Sequence, residues 1–239
     1  MQKRLLILED EASLREFMVI NLRKAGYTVY EADNGDAAIE IFLRTPGIDI
    51  AILDIMVPGA DGNEVCRRIR ERSRTCGIIM LSALSKETDK MTGFAGGADD
   101  YVTKPFSTSE LLARVDVLYR RVLATKNPAG ETGEIISGPF TLDLRTRSLY
   151  KNGKPVELTQ VELLLIKYFM ENMGTALSRE DILNTVWGKD YYGELKIVDV
   201  NIRRLRVKIE NDPADPQIIT TIWGYGYKWV EQNEQSDQD

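Results

Sequence analysis

Residues 48–54 read Ile48-Asp49-Ile50-Ala51-Ile52-Leu53-Asp54, an almost unbroken apolar run closed by a carboxylate. A strand that is apolar at both odd and even positions has both faces covered, as in a parallel sheet packed between helices. Working outward, similar short runs lie at 5–8, 28–30, 77–81 and 101–102. Helical patterns lie between and after them, at 12–25, 34–44, 61–72, 86–96 and 107–122. Five such repeats in ~120 residues predict an α/β unit, a flavodoxin-like doubly wound five-stranded parallel sheet, whose sites lie beyond the carboxyl ends of its strands.

The pattern changes after residue 122. Residues 123–134 are polar, contain Pro128, Gly130 and Gly133, and read as a linker. Strand-like pieces over 135–156 are punctuated by Asn152-Gly153, a hairpin turn signal. Helical stretches follow at 159–172, 178–186 and 195–210, then the aromatic-rich 218–230, IITTIWGYGYKWV. Strands, three helices and a terminal hairpin make an α+β domain of winged helix-turn-helix order over 135–232. The polar residues 233–239 read as a disordered tail.

Two domains fit the 239 residues, and 43 % hydrophobic content suffices for a core in each. No apolar run approaches the ~20 residues that cross a bilayer, so no membrane association is expected. The N-terminal MQKRLLILEDE meets acid too early for a signal peptide, and a cytoplasmic location is expected. Cys66 and Cys76 are then reduced thiols. There is no histidine, which excludes His-based triads and His-ligated zinc. Any phosphohistidine must come from a partner. The net charge is −6, with 17 basic against 19 acidic residues in 1–122 and 14 against 18 in 123–239. Bulk charge therefore does not argue for nucleic acid, and a DNA-binding reading must rest on a local cluster.

Glu9 and Asp10 follow the first run, and Asp54 ends the third. In a parallel sheet these ends are neighbours, so three carboxylates converge and call for a cation between them. An all-oxygen, shallow site suits Mg²⁺, which also holds phosphates. Ser82 follows the fourth run with a hydroxyl, and Lys104 follows the fifth, in a turn set by Pro105. A single strand-end acid is usually a solvated group; the combination is what points to phosphate chemistry.

Glu9-Asp10, Asp54, Met56-Val57-Pro58-Gly59, Ser82-Ala83, Gly97-Ala98-Asp99-Asp100-Tyr101 and Lys104-Pro105-Phe106 together resemble the receiver domain of two-component response regulators, over nearly all of 1–122. The resemblance implies that Asp54 is the phosphoacceptor, supplied by a sensor histidine kinase. It implies that Glu9, Asp10, Asp54 and the Met56 carbonyl hold Mg²⁺, that Lys104 pairs with the phosphoryl oxygens, and that Ser82 and Tyr101 form the switch. In the transcription-factor branch of the family, the 86–96 helix, the fifth strand and the following helix form a homodimer face on phosphorylation. Its ion pairs fall here on Lys90 with Glu110 and Asp100 with Arg114. A third pair falls on Ala95 and Asp116 and cannot form.

On the helix at 195–210, Val198, Ile202, Leu205 and Ile209 make one buried stripe. Lys196, Val200, Arg203, Arg204 and Val207 lie opposite, with Arg206 and Lys208 on the flanks. Cations around an apolar strip suit the major groove. With the Leu158–Leu164, Leu177–Leu183, Val186-Trp187, Val198–Arg206 and Gly224–Tyr227 segments, this half resembles the OmpR/PhoB-type winged-helix domain over about 135–230. The resemblance implies contacts to double-stranded DNA from Lys196, Asn201, Arg203, Arg204 and Arg206, and from Thr221 and Tyr227 in and near the wing. Lys228 is expected as a further phosphate contact. Trp223 stands where some members place a minor-groove arginine. Two copies on tandem half-sites are expected, with RNA polymerase as a further partner.

Two other readings compete with this one. A haloacid-dehalogenase-like phosphohydrolase wants a second Asp two residues after the nucleophile, and this chain has Met56 there. A protein-binding output is compatible with the fold, but the cations from Arg203 to Lys208 favour DNA. The expectation is a phosphoacceptor transcription regulator, not an enzyme with turnover on a substrate.

Overall fold

The computed structural model describes residues 3–82, 97–126, 132–189, 191 and 193–231. The chain divides into two compact units, Met1–Lys126 and Asn127–Asp239. The helix expected over 86–96 and the tail 233–239 lie outside the described residues.

In the first unit, strands β1 (Lys3–Leu8), β2 (Tyr27–Ala32), β3 (Ile50–Asp54), β4 (Gly77–Ser82) and β5 (Asp100–Thr103) alternate with helices α1 (Ala12–Lys24), α2 (Gly35–Arg44) and α3 (Gly62–Arg72); α4 (Thr108–Lys126) follows β5. The sheet order is β2-β1-β3-β4-β5, with every pairing parallel. Every residue of β3 and β4 is buried, as an apolar run demands when both faces are covered.

Alternate side chains divide between two cores. Leu5, Ile7, Ile50, Ile52, Ile79, Leu81 and Val102 pack with Met18 and Leu22 of α1 and with Leu111, Val115 and Leu118 of α4. Leu6, Leu8, Ala51, Leu53, Ile78 and Met80 pack with Ala38 of α2 and Val65, Cys66 and Ile69 of α3. The Asn34 side chain accepts the Ala37 N–H at the start of α2, and Asp61 accepts the Glu64 N–H at the start of α3. Helix α4 runs four residues past its expected end, because Val122 and Leu123 continue its apolar stripe. The expected linker therefore begins as helix.

The second unit opens with the antiparallel sheet β6 (Glu134–Ser137), β7 (Phe140–Asp143), β8 (Ser148–Lys151) and β9 (Lys154–Val156), in that order. Helices α5 (Gln160–Glu171), α6 (Arg179–Val186) and α7 (Lys196–Ile209) follow. A capping box starts α5, with the Thr159 hydroxyl accepting from Glu162 N–H and the Glu162 carboxylate accepting from Thr159 N–H. Strands β11 (Ile219–Ile222) and β12 (Gly226–Trp229) form the terminal hairpin, and β10 (Ala176–Ser178) pairs with β12. Phe140 meets Trp229 edge-on at 5.4 Å, and the Trp229 indole N–H donates to Ser137 Oγ at 3.0 Å. This is the α+β winged helix-turn-helix order expected from the sequence.

Candidate functional site

Parallel register brings the strand-end groups together. Leu8 is opposite Leu53, and Asp54 opposite Leu81, so Glu9 and Asp54 emerge side by side. One carboxylate oxygen from each of Glu9, Asp10 and Asp54 lies within 4.8 Å of the others. Glu9 and Asp54 are buried, at 0 % and 5 % exposure, whereas Asp10 is exposed. Arg15 of α1 donates to the Glu9 carbonyl at 2.7 Å and the Asp10 carbonyl at 3.3 Å, fixing the acidic turn from below. Behind Asp54 the chain turns sharply: a Cβ on Gly62 would stand 2.2 Å from the Asp54 carbonyl oxygen, so only glycine lets α3 start there.

Lys104 reaches into this cluster. Its ammonium donates to Asp54 Oδ2 at 2.6 Å and to both Glu9 oxygens at 2.9 and 2.7 Å. The Met56 N–H donates to Asp54 Oδ1 at 3.1 Å, which sets the Met56 backbone beside the same carboxylate, while the Met56 side chain is 57 % exposed. Burial works to lower the Lys104 ammonium, but its hydrogen bonds to Asp54 and Glu9 outweigh this and hold it above the ordinary lysine value. Burial, aided by the Asp54 charge, lifts the Glu9 carboxyl above its usual range against the pull of Lys104. The one ammonium thus meets two of the three carboxylates, and the third, Asp10, stands within 4.8 Å of them.

Ser82 is 3 % exposed at the end of β4, and its carbonyl accepts from the Lys104 N–H at 2.8 Å. Tyr101 lies on β5, one strand over, packed against the α2/α3 side of the core. Of the residues expected at a dimer face, Lys90 and Ala95 lie outside the described residues. Asp100, Glu110 and Arg114 meet within one chain: Arg114 donates to both Asp100 oxygens at 3.1 and 3.2 Å and to Glu110 at 2.8 Å. Asp116, left without its expected partner by Ala95, accepts the Tyr27 hydroxyl at 2.8 Å instead.

The recognition-helix candidate α7 departs from its sequence reading in part. Val198, Ile202, Leu205 and Ile209 are buried as expected, and Arg203 and Val207 are exposed. Val200 and Asn201 are also buried, at 6 % and 0 %, and the Asn201 amide donates to the Ile197 carbonyl at 2.9 Å. The buried face is wider than the four-residue stripe, so Asn201 is corrected from a contact residue to a packing residue, and Val200 is removed from the exposed face. Arg204 is half-buried, its guanidinium 3.4 Å from Asn201 Oδ1. Lys196 is half-buried at the start of the helix.

Two further cations are engaged inside the unit. Arg206 donates to the Ile219 carbonyl at 2.9 and 2.6 Å and to Thr221 Oγ1 at 2.9 Å, tying α7 to β11. Lys208 donates to Glu162 at 2.5 Å and to the Glu157 carbonyl at 2.9 Å, so it serves the start of α5. Tyr227 is buried; its hydroxyl donates to Asp199 at 2.7 Å, and Arg179 donates to the same oxygen at 2.7 Å. Arg179 and Arg206 both lie over the Tyr227 ring, at 5.0 and 5.4 Å. Burial and the Asp199 hydrogen bond push the Tyr227 phenol up to about 12. Arg206 and Tyr227 thus hold the hairpin against α7, a clamp that composition alone does not distinguish from a DNA-facing cation and an exposed phenol. Lys228 is half-buried on β12, and Trp223 stands 91 % exposed in the β11–β12 turn.

Sequence reasoning quoted Asp99 within a motif but missed its pairing with Arg70. Arg70 of α3 donates to Asp99 Oδ2 at 2.6 Å, to the Gly97 carbonyl at 2.8 Å and to the Cys76 carbonyl, while Asp99 Oδ2 also accepts the Ile78 N–H at 2.8 Å. This clasp anchors the chain leading into β5. Arg70 is one of several cations on α3, and nothing in the local sequence separates it from Arg67, Arg68 and Arg72.

Residues 5–116 match the response regulator receiver domain, and residues 153–229 match the C-terminal domain of transcriptional regulatory proteins. Among solved structures, cysteine-to-serine and cysteine-to-aspartate mutants of RitR are each 25 % identical, over 96 % of this chain and 99 % of theirs, with TM-scores of 0.77 and 0.74. The response regulator DrrB, an OmpR/PhoB homologue from Thermotoga maritima, is 32 % identical over 96 % of this chain and all of its own, with a TM-score of 0.49. No described helix is long and apolar enough to cross a membrane. With an acid cluster at the end of a parallel sheet in the first unit, a winged helix later in the chain and both halves matched in order, the chain belongs to the two-component response regulators of the OmpR/PhoB type, transcription factors rather than classical enzymes.

Proposed function

We propose that Asp54 is the phosphoacceptor and that its phosphorylation by a partner histidine kinase controls DNA binding by the second unit. The observation that carries this reading is the cluster itself: Glu9, Asp10 and Asp54 within 4.8 Å, with the Lys104 ammonium 2.6 Å from Asp54. An Asp54 oxygen attacks phosphorus on the kinase's phosphohistidine; the O–P bond forms as the N–P bond breaks, and the histidine leaves with the electron pair. The three carboxylates and the Met56 carbonyl offer the oxygen donors that a hard dication takes. Mg²⁺ held there would neutralise phosphoryl oxygens during transfer.

Lys104 is already oriented toward the acceptor and needs no new position to meet the added charge. Ser82 supplies a hydroxyl at the neighbouring strand end, and Tyr101 follows it. Groups that interact better with the phosphorylated form shift the receiver toward that state. The phosphorylated chain then dimerises through the face carrying Lys90, Asp100, Glu110 and Arg114. Opening the Asp100–Arg114 pair for exchange between copies is part of that step. On DNA, Arg203, Val207, Arg204 and Lys196 present the reading surface of α7. Thr221 and Lys228 face phosphates, and two copies take tandem half-sites. RNA polymerase engages the bound dimer in the cytoplasm. The join between receiver and DNA-binding domain falls between Lys126 and Glu134.

Treatment of wild type and Asp54→Ala with a small phosphodonor and Mg²⁺ tests this directly. Intact-mass measurement is expected to find one phosphoryl group on wild type and none on the variant, with dimerisation and duplex binding rising only in wild type. A phosphorylated Asp54→Ala chain, or equal DNA binding by both, would refute it.

A further inference from the structure

The three tryptophans of this chain have very different surroundings. Trp187 and Trp229 are 1 % and 0 % exposed, whereas Trp223, at the tip of the β11–β12 hairpin, is 91 % exposed and Tyr225 beside it 49 %. Two aromatic rings thus stand in water on one turn, and Trp and Tyr are enriched where a protein binds a partner. The hairpin is firmly held. The Arg179 N–H donates to the Tyr225 carbonyl at 3.2 Å, and a Cβ on Gly226 would meet the Leu177 carbonyl at 2.0 Å, so the strand lies directly on β10. Arg206 fastens β11 to α7. Since Arg206 neighbours the exposed Arg203 along the helix, the hairpin runs beside the exposed strip of α7.

Charge selects the occupant. In a chain of net charge −6, residues 218–230 contain no Asp or Glu, and their one charged side chain is Lys228. A polyanion fits that hairpin. Grooves alternate along a duplex, so a rigid tip beside a helix seated in the major groove meets the minor groove next to it.

We propose that Trp223 is an apolar wedge for duplex DNA, entering the minor groove and leaning into one base step, which it partly unstacks. The inference rests on α7 being the major-groove reader. Apolar side chains used in this way bend the duplex, and they favour pyrimidine–purine steps, which unstack at least cost. Trp223 thereby gives this chain a preference for a deformable step where a minor-groove arginine would instead give charge and sensitivity to groove width.

The test uses full-length protein treated with phosphodonor and Mg²⁺, and duplexes that wild type selects from a randomised pool. Because the other two tryptophans are buried, acrylamide quenching of fluorescence reports on Trp223. DNA is expected to shield it. Trp223→Ala should bind the selected duplexes roughly 5- to 100-fold more weakly and relax their bend, read as end-to-end energy transfer. Trp223→Phe should keep most of both. Trp223→Arg should recover affinity without the bend, with the salt dependence steeper by about one counterion. An exposed position makes these variants fold alike, which their unfolding midpoints check. If wild type selects duplexes but Trp223 stays open to quencher, or Trp223→Ala binds and bends them equally, the wedge is overturned and the DNA reading stands. If Trp223→Ala loses only transcription in a reconstituted reaction, the tip serves a protein and the wedge is again overturned. If wild type selects no duplex at all, the DNA reading falls and the wedge with it.

Discussion

Lys104→Met keeps an unbranched stem of similar length and deletes the ammonium that faces Glu9 and Asp54. Each N–O contact, at 2.6 to 2.9 Å, joins groups that are largely out of water: Glu9 and Asp54 side chains are 1 % and 7 % exposed, and Lys104 20 %. At the effective dielectric of such sites a unit charge pair near 4 Å is worth about 4 kcal/mol before desolvation is subtracted. Removing one partner strands the others, at a net cost of about 3–5 kcal/mol. The variant should therefore be that much less stable in chelator. Mg²⁺ supplies the missing positive charge, and at a hundredfold its dissociation constant adds about 2.7 kcal/mol. Because no ammonium competes for the carboxylates, the variant should bind Mg²⁺ more tightly than wild type, so the gap between them narrows as Mg²⁺ is added. Urea unfolding followed by the reactivity of Cys66 and Cys76 reads this out, because both thiols are buried in the receiver. A gap under about 1 kcal/mol, or one that Mg²⁺ leaves unchanged, would refute the reasoning.

Arg70→Ala should cost about 3–5 kcal/mol, because it leaves Asp99 charged and buried beside β4; in the same thiol assay, a double variant with Asp99→Ala should cost less than the two single changes added. Arg206→Ala should weaken DNA binding across all sequences while leaving the preferred bases unchanged, since the guanidinium braces the hairpin; loss of preference at one base pair in a selection experiment would mean that it reads DNA directly. For Tyr227, the unfolded phenol ionises near ~10 and the folded one near about 12. The stability it contributes is whole below the lower value and is lost as pH climbs toward the upper one, an effect of roughly 2–3 kcal/mol. Tyr227→Phe should flatten that alkaline slope in tryptophan-detected unfolding, and an unchanged slope would assign it to other groups.

Among the described residues, the fold of the receiver was almost wholly legible because its signals are local and redundant. An apolar run such as 48–53 cannot be solvated, and the acid that ends it lands where strand ends always gather. The second unit gave up its order but not its details. Strand β10 has three residues, too few to show a period, and only its pairing with β12 defines it. Asn201 looked like a polar contact on an amphipathic helix, yet it bonds back to the Ile197 carbonyl and disappears into the core. Arg206 looked like its neighbour Arg203, because sequence does not say which of two adjacent cations has a strand carbonyl waiting for it. The Arg70–Asp99 clasp, spanning 29 positions, escaped for the same reason. Charges that close a loop at long range carry no mark that a sequence window sees.

The two cores on either side of the five-stranded sheet have a consequence for how the receiver can evolve. Glu9, Asp54 and Lys104 continue the strand positions that feed the α1/α4 layer, whereas Ser82 continues those of the α2/α3 layer, in which Tyr101 packs. On the proposed function, the sheet then works as a bulkhead between two compartments, one holding the chemistry and the other holding its readout. Drift in the packing of α1 and α4 retunes how strongly the acid cluster holds its charges. Drift around α2 and α3 would retune the switch proposed for Ser82 and Tyr101. On that reading, sensitivity and response can be inherited and altered as separate traits, even though their residues stand on neighbouring strands.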